Sequence, residues 1–211
     1  SLTASLDDNG ATATEYKIWG AQLEEGSYPT SYIISNSGSS TTRSADVCNN
    51  AGTSATFNST EGVLFAEISA LADDSNIEGI SISDDSLSNR IVIFKWNSSN
   101  TIKVRITAAG SDVFNTQISI ADITNFNKIA LKYKANDFAC WINGVEAATD
   151  TSGNAPTGLS SLQFDSGAGG SDFYGKTKQL IYFDEALSDE ELSDLTGQVN
   201  LSFNNLATFY G

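Results

Sequence analysis

Carboxylates, aromatic rings and two thiols are the side chains of this sequence that could do chemistry, because it contains no histidine. Without an imidazole there is no Ser–His or Cys–His dyad, no general base poised near neutral pH and no histidine-containing zinc site. The cysteines, Cys48 and Cys140, form no CxxC pair, so neither a redox pair nor a thiolate metal site is expected. Cys140 lies in the apolar run FACWI, where a buried thiol is the expectation; a disulfide to Cys48 stays open on sequence alone. The remaining chemistry is recognition rather than bond-making.

Two kinds of recognition are legible. Sugar rings stack their C–H faces on aromatic side chains while polar groups fix the hydroxyls. The candidates for stacking are Trp96, Tyr133, Trp141, Phe173 and Tyr174, with Asn143 at the turn beside Trp141 as a polar partner. Trp141, next to a hairpin turn, is the one expected to be exposed. Hard cations need oxygens converging from several loops, and Asp84, Asp85, Asp165 and Asp172 are the candidate ligands for calcium. Asp165 and Asp172 bound the loop DSGAGGSD, whose glycines permit tight curvature. No EF-hand pattern is present, and the same acids would serve equally as solvated turn residues.

Composition narrows the partners. With 26 acids against 11 bases, a formal net charge of -15 repels phosphate backbones and anionic bilayers, so neither nucleic acid nor membrane insertion is expected. No apolar run reaches the roughly 18 residues of a transmembrane helix, and no signal peptide is visible. The chain starts at Ser1 and holds no methionine, which points to an excised or processed piece.

The elements that must position these residues are strands. Residues 1–52 are rich in Ser, Thr, Asn and Gly around one short island, Tyr16 to Leu23, and read as a connector. From Thr53 the texture changes. Runs at Gly62–Leu71, Ile77–Ser83, Arg90–Trp96, Thr101–Thr107, Ile129–Tyr133, Phe138–Ile142, Val145–Ala148, Leu159–Phe164 and Lys178–Phe183 are strand-like. Arg90, Val92, Phe94 and Trp96 share one face of their strand, and Ala139 and Trp141 share one face of theirs. Asn143-Gly144 predicts a two-residue hairpin turn. Strands at this spacing without a βαβ rhythm predict an antiparallel sandwich. Ser188-Asp189-Glu190-Glu191 predicts a capping box opening one short helix that ends at Gly197, and Leu201 to Gly211 is spaced as a last strand.

Two resemblances follow. IWGAQLEEGSYPTSYI, Ile18 to Ile33, continued by SGSSTTRSADVCNN, Ser37 to Asn50, resembles the junction after a β-sandwich in phage tail-fibre and tail-spike proteins. It implies that residues 1–52 are a connector carrying the terminal strand of an upstream domain. NKIALKY (Asn127–Tyr133), the hairpin WINGV (Trp141–Val145) and YGKTKQLIYFDEALSDEELSDL (Tyr174–Leu195) resemble laminin-G or concanavalin A-like domains. That resemblance implies an all-β, concanavalin A-like (laminin-G-like) antiparallel β-sandwich jelly roll with one short C-terminal helix over residues 53–211. It implies a carbohydrate site on a curved sheet, with calcium near the rim as the candidate cofactor.

Enzymes share this architecture and carry their own strand motifs. Laminarinase-like members carry Glu-x-Asp-x-x-Glu on one strand face, yet no glutamate here has an aspartate two residues on. Alginate-lyase-like members use Gln-Ile-His, and here Gln117-Ile118 is followed by Ser119. Glu67 and Glu78 could pair only across a sheet. The expectation is a non-catalytic carbohydrate-binding module of a tail fibre or spike. It would read a host-surface or extracellular polysaccharide, and be virion-borne or extracellular and homotrimeric. The alternatives are a structural spacer or trimerisation domain, and a carbohydrate-binding appendage of a secreted bacterial polysaccharide-degrading enzyme.

Overall fold

The computed structural model describes Tyr32, Ile34 and residues 51–197. The chain divides into two units, Ser1–Asp46 and Val47–Gly211, and every element below belongs to the second. The terminal strand expected at Tyr16 to Leu23 and the last strand expected at Leu201 to Gly211 lie outside the described residues.

Among the described residues ten strands and one helix follow in order: β1 (Glu61–Ala70), β2 (Glu78–Ser83), β3 (Arg90–Lys95), β4 (Thr101–Ala108), β5 (Ser111–Ser119), β6 (Asn127–Lys134), β7 (Phe138–Ile142), β8 (Val145–Asp150), β9 (Ser161–Gln163), β10 (Gly175–Phe183) and α1 (Asp189–Thr196). They form two five-stranded sheets, ordered β10-β1-β6-β7-β8 and β5-β4-β3-β2-β9, and every strand pair is antiparallel. This is the expected all-β, concanavalin A-like sandwich with a single helix near its C-terminal end.

Period-two alternation builds the core. Leu64, Ala66 and Ile68 of β1 and Ile129, Leu131 and Tyr133 of β6 face Ile80, Ile82, Ile91, Ile93, Ile102, Val104 and Ile106 of the other sheet. Each fully buried aliphatic side chain contributes about 1.5–3 kcal/mol of burial free energy. The opposite face of the first sheet is also apolar. Val63, Phe65 and Ala130 lie beneath Leu192 of α1, with Trp141, Phe183, Leu187 and Leu195 packed around them. Hence β1 is buried on both faces and does not alternate in polarity.

The helix starts as its sequence predicts. Ser188 Oγ accepts from the Glu191 N–H at 3.4 Å, and Glu191 Oε2 accepts from the Ser188 N–H at 2.8 Å. It ends at Gly197, which is extended (φ -62°, ψ 152°), with its carbonyl accepting from Lys128 Nζ at 2.8 Å. Asn143 and Gly144 both take positive φ, 52° and 86°, as the β7–β8 turn requires.

One strand escaped the sequence reading. β5 pairs along all of β4, but a register shift between Ile106 and Thr107 places Val113 and Phe114 side by side. Its edge position leaves Asn115, Gln117 and Ser119 exposed, so neither alternation nor apolar content marks it. Among the described residues no helix is long and apolar enough to cross a membrane.

Candidate functional site: the outer face of the second sheet

The register of the second sheet assembles a grid of polar side chains facing away from the core. Ser81 on β2 lies opposite Gln163 on β9 and opposite Val92 on β3. Val92 lies opposite Arg105 on β4, which lies opposite Asn115 on β5. The row beside it runs from Ser161 through Ser83 and Arg90 to Thr107. The row on the other side runs from Gly79 through Phe94 and Lys103 to Gln117. Trp96 follows β3 on the same face, with its ring edge to face against Phe94 (centroids 5.8 Å apart) and Lys103 Nζ 3.9 Å from its centroid.

This face is underpaired. Buried polar groups nearly always find hydrogen-bond partners, and leaving one without costs about 1–3 kcal/mol. Among the described residues five buried side-chain polar atoms have none, and four of them, Ser81 Oγ, Arg90 Nε, Arg105 Nε and Gln163 Oε1, lie on this face. Arg105 Nε does stand 3.4 Å from Asp112 Oδ2, so charge is near without an aligned hydrogen bond. Burial pulls the Arg90 guanidinium and the Lys103 ammonium below their usual ranges, and the neighbouring Arg105 charge adds to both shifts.

The loop between β9 and β10 lies over one end of the grid. Ser83 Oγ donates to the Gly167 carbonyl at 2.7 Å, and Arg90 Nη1 donates to the Ser166 carbonyl at 2.6 Å. Gly167, at φ 102°, approaches so closely that an added Cβ would lie 3.1 Å from Ser83 Cβ and 3.4 Å from Arg90 Cδ. The open part of the face is therefore the β4–β5 side, where Asn115 and Gln117 are exposed and Arg105 and Trp96 are half-buried.

Of the expected sugar-stacking residues only Trp96 belongs to this grid. Tyr133 is a correction: it is fully buried between the sheets. Its hydroxyl donates to the Asn58 carbonyl and lies 3.1 Å from Tyr182 Oη, and burial pushes the phenol above its ordinary range. Trp141 points outward as alternation requires, but α1 covers that face, so it is half-buried rather than exposed. Asn143 spends its side chain on the turn, accepting from the Lys128 N–H at 3.0 Å and donating to Asn127 Oδ1 at 2.9 Å. Tyr174 is exposed at the rim, where its N–H donates to Glu78 Oε2 at 3.2 Å.

The four aspartates expected around calcium are engaged separately. Asp84 Oδ1 accepts from Ser86 Oγ at 2.6 Å and its Oδ2 from Asn89 Nδ2 at 2.9 Å. Asp85 Oδ1 accepts from Ser161 Oγ, and from Gln163 Nε2 at 2.9 Å. Asp165 is buried and accepts from the Gly167 N–H at 2.6 Å, while Asp172 is exposed and bridges to Gly79 through the backbone. Among the described residues no group of three His, Cys, Asp or Glu side chains converges to hold a metal. Glu67 and Glu78 sit on different sheets, with Glu67 accepting from Lys178 at 2.8 Å and Glu78 3.8 Å from Lys95.

The sequence reading missed Arg90, Lys103, Arg105, Asn115, Gln117, Ser81 and Gln163 as site residues. A signal was present for the bases. TIKVRIT puts Lys103 and Arg105 on one strand face, and RIVIFKW puts Arg90 on the face of Trp96 with Lys95 on the other. The antiparallel pairing of the two strands brings Arg90, Lys103 and Arg105 onto one surface.

The model of the concanavalin A-like lectin/glucanases superfamily matches residues 49–193, and the chain belongs to that laminin-G-type family. No curated protein matches the chain by sequence. Among solved structures it is similar to the CBM40 of the Ruminococcus gnavus IT-sialidase (16% identity, TM-score 0.54), covering 67% of this chain and 85% of that one. It is also similar to the leech intramolecular trans-sialidase (22% identity, TM-score 0.53), covering 67% of this chain and 24% of that one. For the NanB sialidase of Streptococcus pneumoniae the identity is 16%, the TM-score 0.55 and the coverage 68% and 25%. The chain thus spans about a quarter of each of these two sialidases. These likenesses concern the fold.

Proposed function

We propose that this domain is a non-catalytic carbohydrate-binding module that takes a glycan on the outer face of its second sheet. The observation that carries the reading is the gathering of unpaired buried polar atoms on one sheet face beside Trp96. Lys103 covers one face of that indole, and a sugar ring would stack on the other. Asn115, Gln117 and Arg105 would bind its hydroxyls. The R. gnavus CBM40, of like fold, has been seen bound to α2,3- and α2,6-sialyllactose, which supports a glycan as the ligand class. The setting that fits best is an extracellular one, as the binding appendage of a secreted polysaccharide-degrading enzyme. A tail fibre reading a host polysaccharide is the second setting, carried by the connector sequence at 18–50. The fibre predicts a trimer in solution and the appendage a monomer, which light scattering separates.

The test is a glycan array probed with the whole chain, with calcium and with chelator. Saturable binding to a subset of glycans is expected, lost in Trp96→Ala and in the Asn115→Ala/Gln117→Ala pair and kept in Tyr174→Ala. Loss in chelator would assign calcium a part in binding. Binding indifferent to the Trp96 and Asn115/Gln117 changes, or none by the folded chain, overturns the reading.

A further inference from the structure

The second sheet's outer face carries positive charge on a chain whose formal net charge is -15. Elsewhere Lys132, Lys134 and Lys178 have carboxylate oxygens at 2.7, 2.9 and 2.8 Å, and Lys128 donates to the Gly197 carbonyl at 2.8 Å. Among the described residues Arg90 and Lys103 form no ion pair, and Arg105 meets only Asp112. These are not loosely solvated surface charges, since Arg90 is 6% and Lys103 7% exposed. A cation removed from water without a counter-charge is strongly disfavoured, and the Arg105 charge also repels both Arg90 and Lys103. Removing charge would relieve that cost, yet the sequence puts three bases there, and two of them keep a guanidinium N–H with no acceptor. An oxyanion accepting N–H bonds from the Arg105 guanidinium would satisfy that donor and bring a counter-charge to the cluster.

We propose that Arg90, Lys103 and Arg105 form an anion-binding subsite that makes this domain selective for acidic glycans, holding the oxyanion of a sugar carboxylate or sugar sulfate. The inference rests on the glycan-binding reading above and names the class of sugar. Arg105, half-exposed beside Asn115, makes the direct contact. Arg90, fixed by the Ser166 carbonyl under the Gly167 strap, supplies field from below, and Lys103 joins the anion subsite to the Trp96 stacking surface.

Calorimetry on the whole chain tests it with four probes: α2,3-sialyllactose, its methyl ester, lactose and 3′-sulfolactose. The acidic probe should bind at least about tenfold tighter than lactose or the ester, the gap worth one charge-assisted contact. That gap should narrow as salt rises. Arg105→Gln should erase the preference and Arg105→Lys restore part of it, both with unchanged far-ultraviolet circular dichroism. Tight sulfolactose binding would extend the subsite to sulfate, and weak binding would confine it to carboxylate; both support it. Equal binding of acidic and neutral probes, all lost in Trp96→Ala, overturns the anion subsite and leaves the glycan reading standing. Binding of no probe, together with an empty glycan array, overturns both.

Discussion

Trp96 and Trp141 both point outward from their sheets, and what packs on each decides their roles. Trp141 lies under α1 among Leu187, Leu192 and Leu195, so truncating it opens a cavity. Trp96 meets a lysine and a phenylalanine ring and borders exposed polar positions. Trp96→Ala is therefore expected to weaken glycan binding by about 1–3 kcal/mol, the worth of one large side chain's burial, with little change in the urea midpoint. Trp141→Ala should do the reverse, costing about 3–5 kcal/mol of stability. Calorimetry and urea titration of the two variants separate these outcomes. Cys140 is a free buried thiol whose burial pushes its pKa up to about 12. In a Cys48→Ser background it should resist a thiol reagent at pH 8 while folded and react at once in denaturant.

At the scale of elements, local signals were most legible where backbone chemistry is self-contained. The Ser188 capping box and the Asn143-Gly144 turn are both present as the residues predict. Ser188→Ala is expected to cost about 1 kcal/mol, read as a lower urea midpoint. Faces were less legible, because alternation says which side chains share a face but not what covers it. Tyr133 and Trp141 look equally able to stack on a sugar until the opposite sheet and α1 are in place. β5 was hidden by its register shift and exposed edge. The β2–β3 end of the core holds a further consequence of packing. Buried Lys95 donates to the carbonyls of Asp74 and Asn76, both at 3.0 Å, and to the Asp74 carboxylate. That last bond chiefly holds the Asp74 carboxyl below its ordinary value of 3.8. A lowered carboxyl stabilises the fold fully above its unfolded value, and the contribution is lost as pH falls through the folded one. Asp74→Asn should thus lower the urea midpoint at pH 7 and flatten its decline below about pH 4.

Over the whole molecule, charge composition gives the sign of the chain but hides the basic face of its second sheet. A net charge of -15 is a sum, and the sheet register gathers Arg90, Lys103 and Arg105 from two strands onto one surface. The acids surrounding that surface would discourage polyanions of high charge density while leaving a local subsite for a single oxyanion. The site is thus a product of topology: no contiguous motif encodes it. The most direct measurement is amide chemical-shift mapping of the whole chain titrated with α2,3-sialyllactose. The account predicts saturable shifts clustered in β3, β4, β5 and residues 164–173, with the Trp96 indole and Arg105 Nε signals moving together. Shifts centred instead on the β7–β8 turn around Asn143 or on Tyr174, with β4 and β5 silent, would contradict it.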